Sequence, residues 1–375
     1  MYFNLMKYLF VVIGILISIP NMVQGQISNV VEKFPLPSTL SESSGAIFFN
    51  SKLITHNDSG NANKLYELDT ISGSITRDVA ISNATNVDWE DITQDETSIF
   101  IGDIGNNSGN RTNLKIYKIS KTDYSNTANV TAEVISFSYA DQVNFTPNTN
   151  NTEWDAEALI SFDANNLIVF TKNWVNGTTK GYLIPKTPGT YAPSPLPTTL
   201  SSEGLITGAT LNPSTGKLYL IGYSNILQPF VWVCENFNGN DVFSGTNTKT
   251  NLSSLSFEQA EAITYVDDNR YFVTSESFSN IISDDAKLIA FSTNDAVLSS
   301  TETGLESALL YPNPVTDYLY VKNILFDSIE IYDSRQVKLY EGTRNRIDMS
   351  RFSEGFYIVK INSGTTYTIK KILKK

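Results

Sequence analysis

Five imperfect copies of one short motif, acidic in most of them, recur along the first two thirds of this chain, and each opens an apolar run. Repetition with a period near 50 residues is typical of proteins built as a ring of similar β-sheets, the β-propellers. The sequence therefore predicts an all-β ring in which each copy begins one blade. The copies are Glu42-Ser43-Ser44-Gly45-Ala46-Ile47, Asp88-Trp89-Glu90-Asp91-Ile92, Glu153-Trp154-Asp155-Ala156-Glu157-Ala158-Leu159-Ile160, Leu205-Ile206-Thr207-Gly208-Ala209-Thr210 and Glu258-Gln259-Ala260-Glu261-Ala262-Ile263.

Each copy is followed by a short turn and two further runs rich in β-branched and aromatic residues, which predict second and third strands. The third strands alternate polar and apolar residues more than the second, as expected where an outer strand meets water. Weaker runs at residues 74–81, 132–139, 191–200 and 241–252 predict four outermost strands, and residues 30–34 supply the fifth by returning to the last blade. We predict five blades across residues 28–298. Six blades are the alternative, because the 67 residues between Glu90 and Glu157 leave room for more strands.

The ends of the chain predict export. Residues 1–25 combine Lys7, an apolar run and a small-residue ending before Gln26, which is the pattern of a cleaved signal peptide. No later segment is long and apolar enough for a membrane span. Cys234 is the only cysteine, so no intrachain disulfide forms and packing must stabilise the fold. We assign residues 26–298 to the propeller, 299–308 to a linker and 309–375 to a small immunoglobulin-like β-sandwich.

The last segment also resembles a known family. Its residues include Tyr311-Pro312-Asn313-Pro314, Asp348-Met349-Ser350, Gly355-Phe356-Tyr357-Ile358-Val359-Lys360 and a lysine-rich end. In this order they closely resemble the type A C-terminal sorting domain of cargo exported by the type IX secretion system of Bacteroidetes. The resemblance implies delivery to the periplasm, then transfer across the outer membrane by the type IX machinery, with the protein secreted or held at the cell surface.

Antiparallel geometry places the motifs and the loops after the second strands on one rim, which we call the mouth. Carboxylates predominate there, and calcium prefers oxygen ligands of this kind, whereas no His and Cys cluster suits zinc. The opposite rim has short turns and is predicted to be structural. The acidic residues could instead cap strand ends and tie blades together. The predicted calcium ligands are Asp58, Glu90, Asp91, Asp103, Glu157 and Glu261.

Other side chains at the mouth are candidates for ligand contact or catalysis. Lys172 and Arg111 are the cations of the mouth loops; either could hold an anionic group or neutralise the carboxylates. Trp174 and Tyr223 are further candidate ligand contacts, and Glu157 or Glu261 could activate water. His56 is the only histidine and the only place for imidazole chemistry. We find no serine-hydrolase, nucleotide-hydrolase or zinc-protease motif.

The propeller segment loosely resembles β-propeller phytases, their esterase-like relatives and calcium-dependent lactonases, through Trp-Asp-Ala-Glu-Ala at 154–158, Trp-Glu-Asp at 89–91 and Gln-Ala-Glu-Ala at 259–262. The Asp-Asp-Pro-Ala-Ile-Trp signature of true phytases is absent. The chain carries a net charge of −12, which disfavours nucleic acid as a partner. We expect a secreted or surface propeller that binds an unknown extracellular ligand at a calcium-loaded mouth. The alternatives are a metal-dependent hydrolase and a structural adhesion module.

Overall fold

The computed structural model describes residues 27–267, 269–279, 283–295, 308–322, 326–333, 335, 337–363 and 366–375. The predicted signal peptide and most of the predicted linker lie outside these residues. The chain divides into two compact units, Met1–Ala296 and Val297–Lys375. In the part that is described, none of the helices has the length and apolar character needed to cross a membrane.

The first unit is made almost entirely of short strands. In chain order they are β1 Ile27–Pro35, β2 Ser43–Phe49, β3 Lys52–Asn57, β4 Lys64–Leu68, β5 Ile75–Ile81, β6 Trp89–Gln94, β7 Ser98–Asp103, β8 Lys115–Ser120, β9 Asn129–Val130, β10 Glu133–Phe137, β11 Ala156–Ser161, β12 Asn166–Thr171, β13 Thr178–Thr179, β14 Gly181–Pro185, β15 Gly189–Tyr191, β16 Leu200–Ser201, β17 Leu205–Asn212, β18 Lys217–Tyr223, β19 Pro229–Glu235, β20 Thr246–Asn251, β21 Gln259–Asp267, β22 Arg270–Glu276, β23 Phe278–Ser279, β24 Ser283–Asp284 and β25 Lys287–Thr293. A 3-10 turn spans Ser38–Leu40, and the α-helix α1 spans Lys121–Asn126.

These strands form five blades around a ring. From the centre outward, blade one is β2-β3-β4-β5, blade two is β6-β7-β8-β10, blade three is β11-β12-β14, blade four is β17-β18-β19-β20 and blade five is β21-β22-β25-β1. The innermost strands contact one another in chain order, and β21 contacts β2. This arrangement confirms the predicted propeller with five blades.

The N-terminal strand closes the ring. β1 pairs antiparallel with β25. Blade five therefore takes its outer strand from the N-terminal end of the propeller segment and its other three strands from the C-terminal end. Lys287 strengthens the junction, because its ammonium lies 2.6 Å from Glu258 and 3.5 Å from Glu32 on β1. Pairing covers the outer edge of β25, which would otherwise be open to association with another chain.

Blade three departs from the sequence prediction, which placed a fourth strand within residues 191–200. In the structure β15 pairs parallel with β10 of blade two, and the rest of this segment reaches blade three through an isolated bridge between Tyr182 and Pro195 and the two-residue pairing of β16 with β13. The long spacing between the second and third motifs holds α1 and β9, and β9 extends blade one by pairing with β5. Segments from the following blade therefore widen blades one and two.

Apolar side chains pack between neighbouring blades. One buried cluster joins blades one and two, and a separate cluster lies at each of the four other junctions around the ring. Trp89 illustrates the principle: its fully buried ring packs at 5.9 Å from Tyr117 in its own blade and at 5.5 Å from His56 in blade one. Burial of a large apolar side chain is worth about 1.5–3 kcal/mol, so these junctions hold the ring together.

The second unit is a two-sheet sandwich. Its strands are β26 Leu309–Tyr311, β27 Tyr318–Lys322, β28 Ser328–Tyr332, β29 Lys338–Gly342, β30 Arg346–Asp348, β31 Gly355–Ser363 and β32 Thr366–Lys374. One sheet has the order β26-β27-β30 and the other β29-β28-β31-β32. Leu319, Ile331 and Val359 belong to the buried hydrophobic core of this unit. This matches the predicted all-β sandwich.

Candidate functional site

Every innermost strand carries a β-bulge near its start, at the mouth. In each blade the register with the second strand slips by one residue at the same place. A bulge leaves one residue outside the ladder and re-aims its side chain. The five bulged residues, which we call the bulge ring, are Ser44, Glu90, Glu157, Thr207 and Glu261. All are less than one-tenth exposed. Three members of the bulge ring are thus glutamates of the repeated motifs, and the other two are the hydroxyl residues Ser44 and Thr207.

A second set of side chains stands at the ends of the second strands, beside the bulge ring. In each blade, the residue just before the bulge pairs with a residue of the second strand. The member of this set is the next residue along the second strand after that partner. The set consists of Asp58, Ile104, Lys172, Tyr223 and Glu276. The predicted candidates Asp58, Lys172 and Tyr223 therefore occupy equivalent positions in three different blades. The mouth combines carboxylates, one buried ammonium and one phenol.

Three carboxylates of the mouth converge most closely. Oxygens of Asp58, Asp88 and Glu90 all lie within 4.8 Å of one another. Burial, with the nearby charge of Asp58 second, raises the pKa of Asp88 to about 7 and raises the pKa of Glu90 well above its ordinary value. The pKa of Asp58 is also raised, again mainly by burial. Bringing such groups together favours protonation or a bound cation.

The cluster is tightly framed by backbone. Gly105 passes so close that a Cβ at this position would overlap the carboxylates of Glu90 and Asp88. The carboxylate of Glu90 accepts no hydrogen bond and forms no ion pair with any residue the structure describes, although only 7% of Glu90 is exposed. Asp88 has a distant counter-charge, since Arg111 Nη1 lies 3.8 Å from its Oδ2. These three carboxylates form a group whose oxygens are close enough to share a hard cation.

Lys172 neutralises a different part of the mouth. Its Nζ donates to Glu157 Oε2 at 2.6 Å, and both side chains are buried. The same Nζ lies 5.0 Å from the ring centre of Trp174 and 5.6 Å from that of Tyr223. Burial alone would lower the pKa of Lys172, but Glu157 and the other acidic groups around it hold this pKa well above its ordinary value. Lys172 is therefore a permanent cation at the junction of blades three and four.

Arg111 and Asp103 shape the loop after β7. Arg111 Nη2 donates to Asp103 Oδ1 at 2.7 Å, and Nη1 donates to the carbonyl of Gly105 at 2.6 Å. Asp103 Oδ1 also accepts the amide of Asp88 at 3.2 Å. Both residues were candidates from the sequence, for ligand binding and for calcium respectively. Their contacts position Asp88 and Gly105 beside the carboxylate cluster.

Asp91 lies next to the bulge ring, on the side away from the mouth. It follows the bulge, and the equivalent residues in the other blades are small: Gly45, Ala158, Gly208 and Ala262. Asp91 is fully buried, and its Oδ2 accepts the amides of Leu159 at 2.8 Å and Ala209 at 3.3 Å, in blades three and four. The carboxylate predicted as a calcium ligand thus ties three blades together below the cluster.

Two further acids of the mouth, Glu261 and Glu276, belong to blade five. Burial raises the pKa of Glu261 to about 7, even though Lys172 lowers it. Burial and then the charge of Glu261 raise the pKa of Glu276 well above its usual range. A carboxyl group that titrates near neutral pH can take or give a proton in a reaction. Of the two candidate catalytic residues, Glu261 has this property; burial also raises the pKa of Glu157 well above its ordinary value, although Lys172, which donates to it, opposes the shift.

Some features escaped the sequence reasoning. Asp88 is not among the calcium ligands predicted from the sequence, yet it completes the carboxylate cluster; its place directly before Trp89 in the second motif is the available signal. His56 is buried behind the mouth, where burial lowers its pKa to about 4. Trp174 donates its Nε1 hydrogen to Asp155 at 2.7 Å, and it is half-buried.

Comparisons with known proteins identify the second unit. Residues 309–375 match the model of the secretion system C-terminal sorting domain. This confirms the resemblance to type IX cargo: the chain is exported through engagement with that secretion machinery and is secreted or displayed at the cell surface. No curated protein matches the chain in sequence.

Solved structures resemble the propeller only distantly. The allergen Mala s 1 of Malassezia sympodialis is 12% identical, with 73% of this chain and 98% of that chain covered and a TM-score of 0.40. A glucose dehydrogenase is 8% identical, with 72% and 100% covered and a TM-score of 0.40. The β-propeller domain of Cps50 (Swd1) from Myceliophteria thermophila is 6% identical, with 85% and 93% covered and a TM-score of 0.32. Likenesses this weak assign no activity to the chain.

Proposed function

We propose that this exported propeller binds calcium through Asp58, Asp88 and Glu90 and presents the ion to an extracellular ligand at the mouth. The observation that carries the proposal is the convergence of three carboxylates within 4.8 Å, one of them that of Glu90, which is buried and has no hydrogen-bond or ion-pair partner in the described part of the chain. At 4 Å two such charges repel by about 4 kcal/mol at an effective dielectric of 20. A divalent cation reverses this repulsion.

The neighbouring groups suit a ligand that donates an oxygen to the ion. Lys172 is bonded to Glu157 beside the cluster, whereas Arg111 is bonded to Asp103 and its Nη1 lies 3.8 Å from Asp88 Oδ2 at the edge of the cluster. An acidic or hydroxyl-rich ligand can therefore bridge from calcium toward these cations. The direct contacts expected from the sequence, through Lys172, Trp174 and Tyr223, remain part of the proposal at the junction of blades three and four.

Titration of the mature full-length chain with calcium tests the proposal. Calcium at 100 times its Kd stabilises a protein by about 2.7 kcal/mol, so the melting temperature rises with added metal. We expect Glu90→Gln to lose both the heat of binding and this rise. Glu133→Gln makes the same charge change on a side chain that is 60% exposed in an outer strand, and it should behave like wild type. Absence of heat and of thermal stabilisation at millimolar calcium in wild type would refute the metal site.

Glu261 favours a second candidate function, a metal-dependent hydrolase. Its pKa near 7 suits a general base beside a metal-bound ester or phosphate oxygen. A panel of phosphate, lactone and aryl-ester substrates supplied with calcium distinguishes this function from ligand binding alone. Turnover that survives Glu261→Gln unchanged would remove Glu261 from the mechanism.

A further inference from the structure

A large cavity opens on the rim opposite the mouth, among the turns between the first and second strands. Its volume is about 880 Å³, and every blade contributes to its wall. The short turns of this rim predict only a structural role for it. Pockets for small ligands span about 300–1,000 Å³, so the cavity has the size of a binding site. We call it the lower funnel.

The lower funnel is separate from the mouth. Ala209 lies in its wall, and the amide of Ala209 is one of those held by Asp91 across the centre of the ring. The inner strands meet so closely here that a Cβ on Gly45 would lie 2.7 Å from the amide nitrogen of Ile92. A ligand in the lower funnel therefore occupies a site of its own, and the calcium proposal has no bearing on it.

Aromatic side chains from three blades form part of the wall. Phe49 belongs to blade one, Phe162 follows the inner strand of blade three and Tyr265 belongs to blade five. All three are only half-buried. Aromatic faces left partly open in a concave site are suited to cover the C–H face of a ligand.

Polar groups of the wall that have no hydrogen-bond or ion-pair partner among the described residues include the ammonium of Lys121, the hydroxyl of Tyr265 and Gln94 Oε1. Lys121 Nζ lies 4.5 Å from the ring centre of Phe49, and it forms no ion pair with any described residue. The hydroxyl of Tyr265 makes no hydrogen bond within the described ranges. The funnel thus presents a donor cation and a hydroxyl, which can both donate and accept, beside aromatic faces.

The chemistry of the wall discriminates between ligand classes. A wholly apolar ligand would strip water from Lys121 and Tyr265 and return no hydrogen bond, which is costly. An anionic ligand would meet the exposed acids Glu96 and Asp163, which also line the funnel. A neutral sugar supplies hydroxyls that accept from Lys121 and exchange hydrogen bonds with Tyr265, and its C–H faces cover the rings. We infer that the lower funnel binds a neutral oligosaccharide.

Calorimetric titration of the mature full-length chain with cello-, xylo-, malto- and laminari-tetraose tests this inference. We expect at least one of these sugars to bind, and Phe162→Ala and Lys121→Met each to weaken that binding by about tenfold or more, through loss of an aromatic face or of the donor. Circular dichroism and the melting temperature verify that each variant is folded. In wild type, the bound sugar should also protect Lys121 from an amine-reactive reagent, a readout that needs no variant.

Three results would overturn the inference. The first is that no sugar in the panel binds at millimolar concentration. The second is that folded Phe162→Ala and Lys121→Met bind as wild type does, or that Lys121 stays unprotected. The third is that Glu90→Gln abolishes sugar binding, because the sugar would then lie at the mouth. Loss of calcium binding alone leaves the lower funnel unaffected, so the two proposals fail separately.

Discussion

At the scale of single residues, the mouth shows how burial sorts similar side chains into different roles. Glu90, Glu157 and Glu261 hold equivalent bulge positions, yet Glu90 joins two other carboxylates, Glu157 bonds to Lys172 and Glu261 has a pKa raised to about 7. The sequence predicted that the three acids align, because the motif repeats. It could not predict which would be neutralised, since Lys172 reaches Glu157 only through the geometry of its own blade.

Asp95 and Lys186 offer a test of electrostatics away from the mouth. Lys186 is 6% exposed, and its Nζ lies 2.9 Å from Asp95 Oδ2, which ties blade three to blade two. Burial alone would raise the pKa of Asp95, but hydrogen bonds from Lys186 and from the amides of Thr97 and Ser98 hold it below its ordinary 3.8. This carboxylate therefore stabilises the fold above about pH 4, and its contribution is lost as pH falls below that value.

We predict that Lys186→Met lowers the free energy of unfolding by about 2 kcal/mol at neutral pH, less than for a fully buried pair because Asp95 is partly exposed. The loss should shrink when the pH is lowered from neutral to about 3, because the contribution of Asp95 is progressively lost as the pH falls below its ordinary pKa of 3.8. Urea unfolding at both pH values measures the difference. Lys118→Met, which removes a cation 3.3 Å from the exposed Glu133, is the control and should cost well under 1 kcal/mol. A loss for Lys186→Met that is equal at both pH values would contradict this account.

At the scale of strands, the bulge and the small residue that follows it determine how closely the blades approach. The first, second and third strands were predictable, because apolar runs and turns repeat with the motif. The fourth strand of blade three was not, because β15 pairs with β10 in the neighbouring blade, a tertiary contact with no periodic signal in residues 189–191. The bulges were equally hidden, because the inner strands are buried on both faces and therefore lack the alternation of polar and apolar residues that a slip of register would interrupt.

Gly208 tests the close approach of neighbouring inner strands. A Cβ at this position would lie 2.4 Å from the carbonyl oxygen of Glu261 and 3.0 Å from the Cα of Ala262, both backbone atoms of the next blade. We predict that Gly208→Ala lowers the free energy of unfolding by about 2–3 kcal/mol through overpacking. Thermal and denaturant unfolding measure the effect.

Gly239→Ala provides the comparison for Gly208→Ala. Gly239 has a φ of +58° but no heavy atom within 4 Å of an added Cβ, so only the left-handed backbone is penalised, at about 1 kcal/mol. Similar losses for the two variants would show that the inner strands can move apart at Gly208 without cost.

At the scale of the whole molecule, the ring depends on the pairing of β1 with β25. We predict that a chain lacking residues 27–35 melts at a lower temperature and self-associates, because the edge of β25 is then open. Light scattering and thermal unfolding measure both effects. A synthetic peptide of residues 27–35 should restore the monomer, whereas a scrambled peptide should not. A truncated chain that stays monomeric with the wild-type melting temperature would show that closure adds no stability.

Ring closure also bears on the order of events during biosynthesis. The partners Ser28 and Ser292 are separated by 264 residues along the chain, so β1 leaves the ribosome long before β25, the strand with which it pairs. A nascent or half-translocated polypeptide cannot contain the finished ring, however many blades have already formed. The cargo therefore completes its fold only after the entire propeller segment has been delivered to a single compartment. Pairing of the N-terminal strand β1 with β25 is the step that closes the ring.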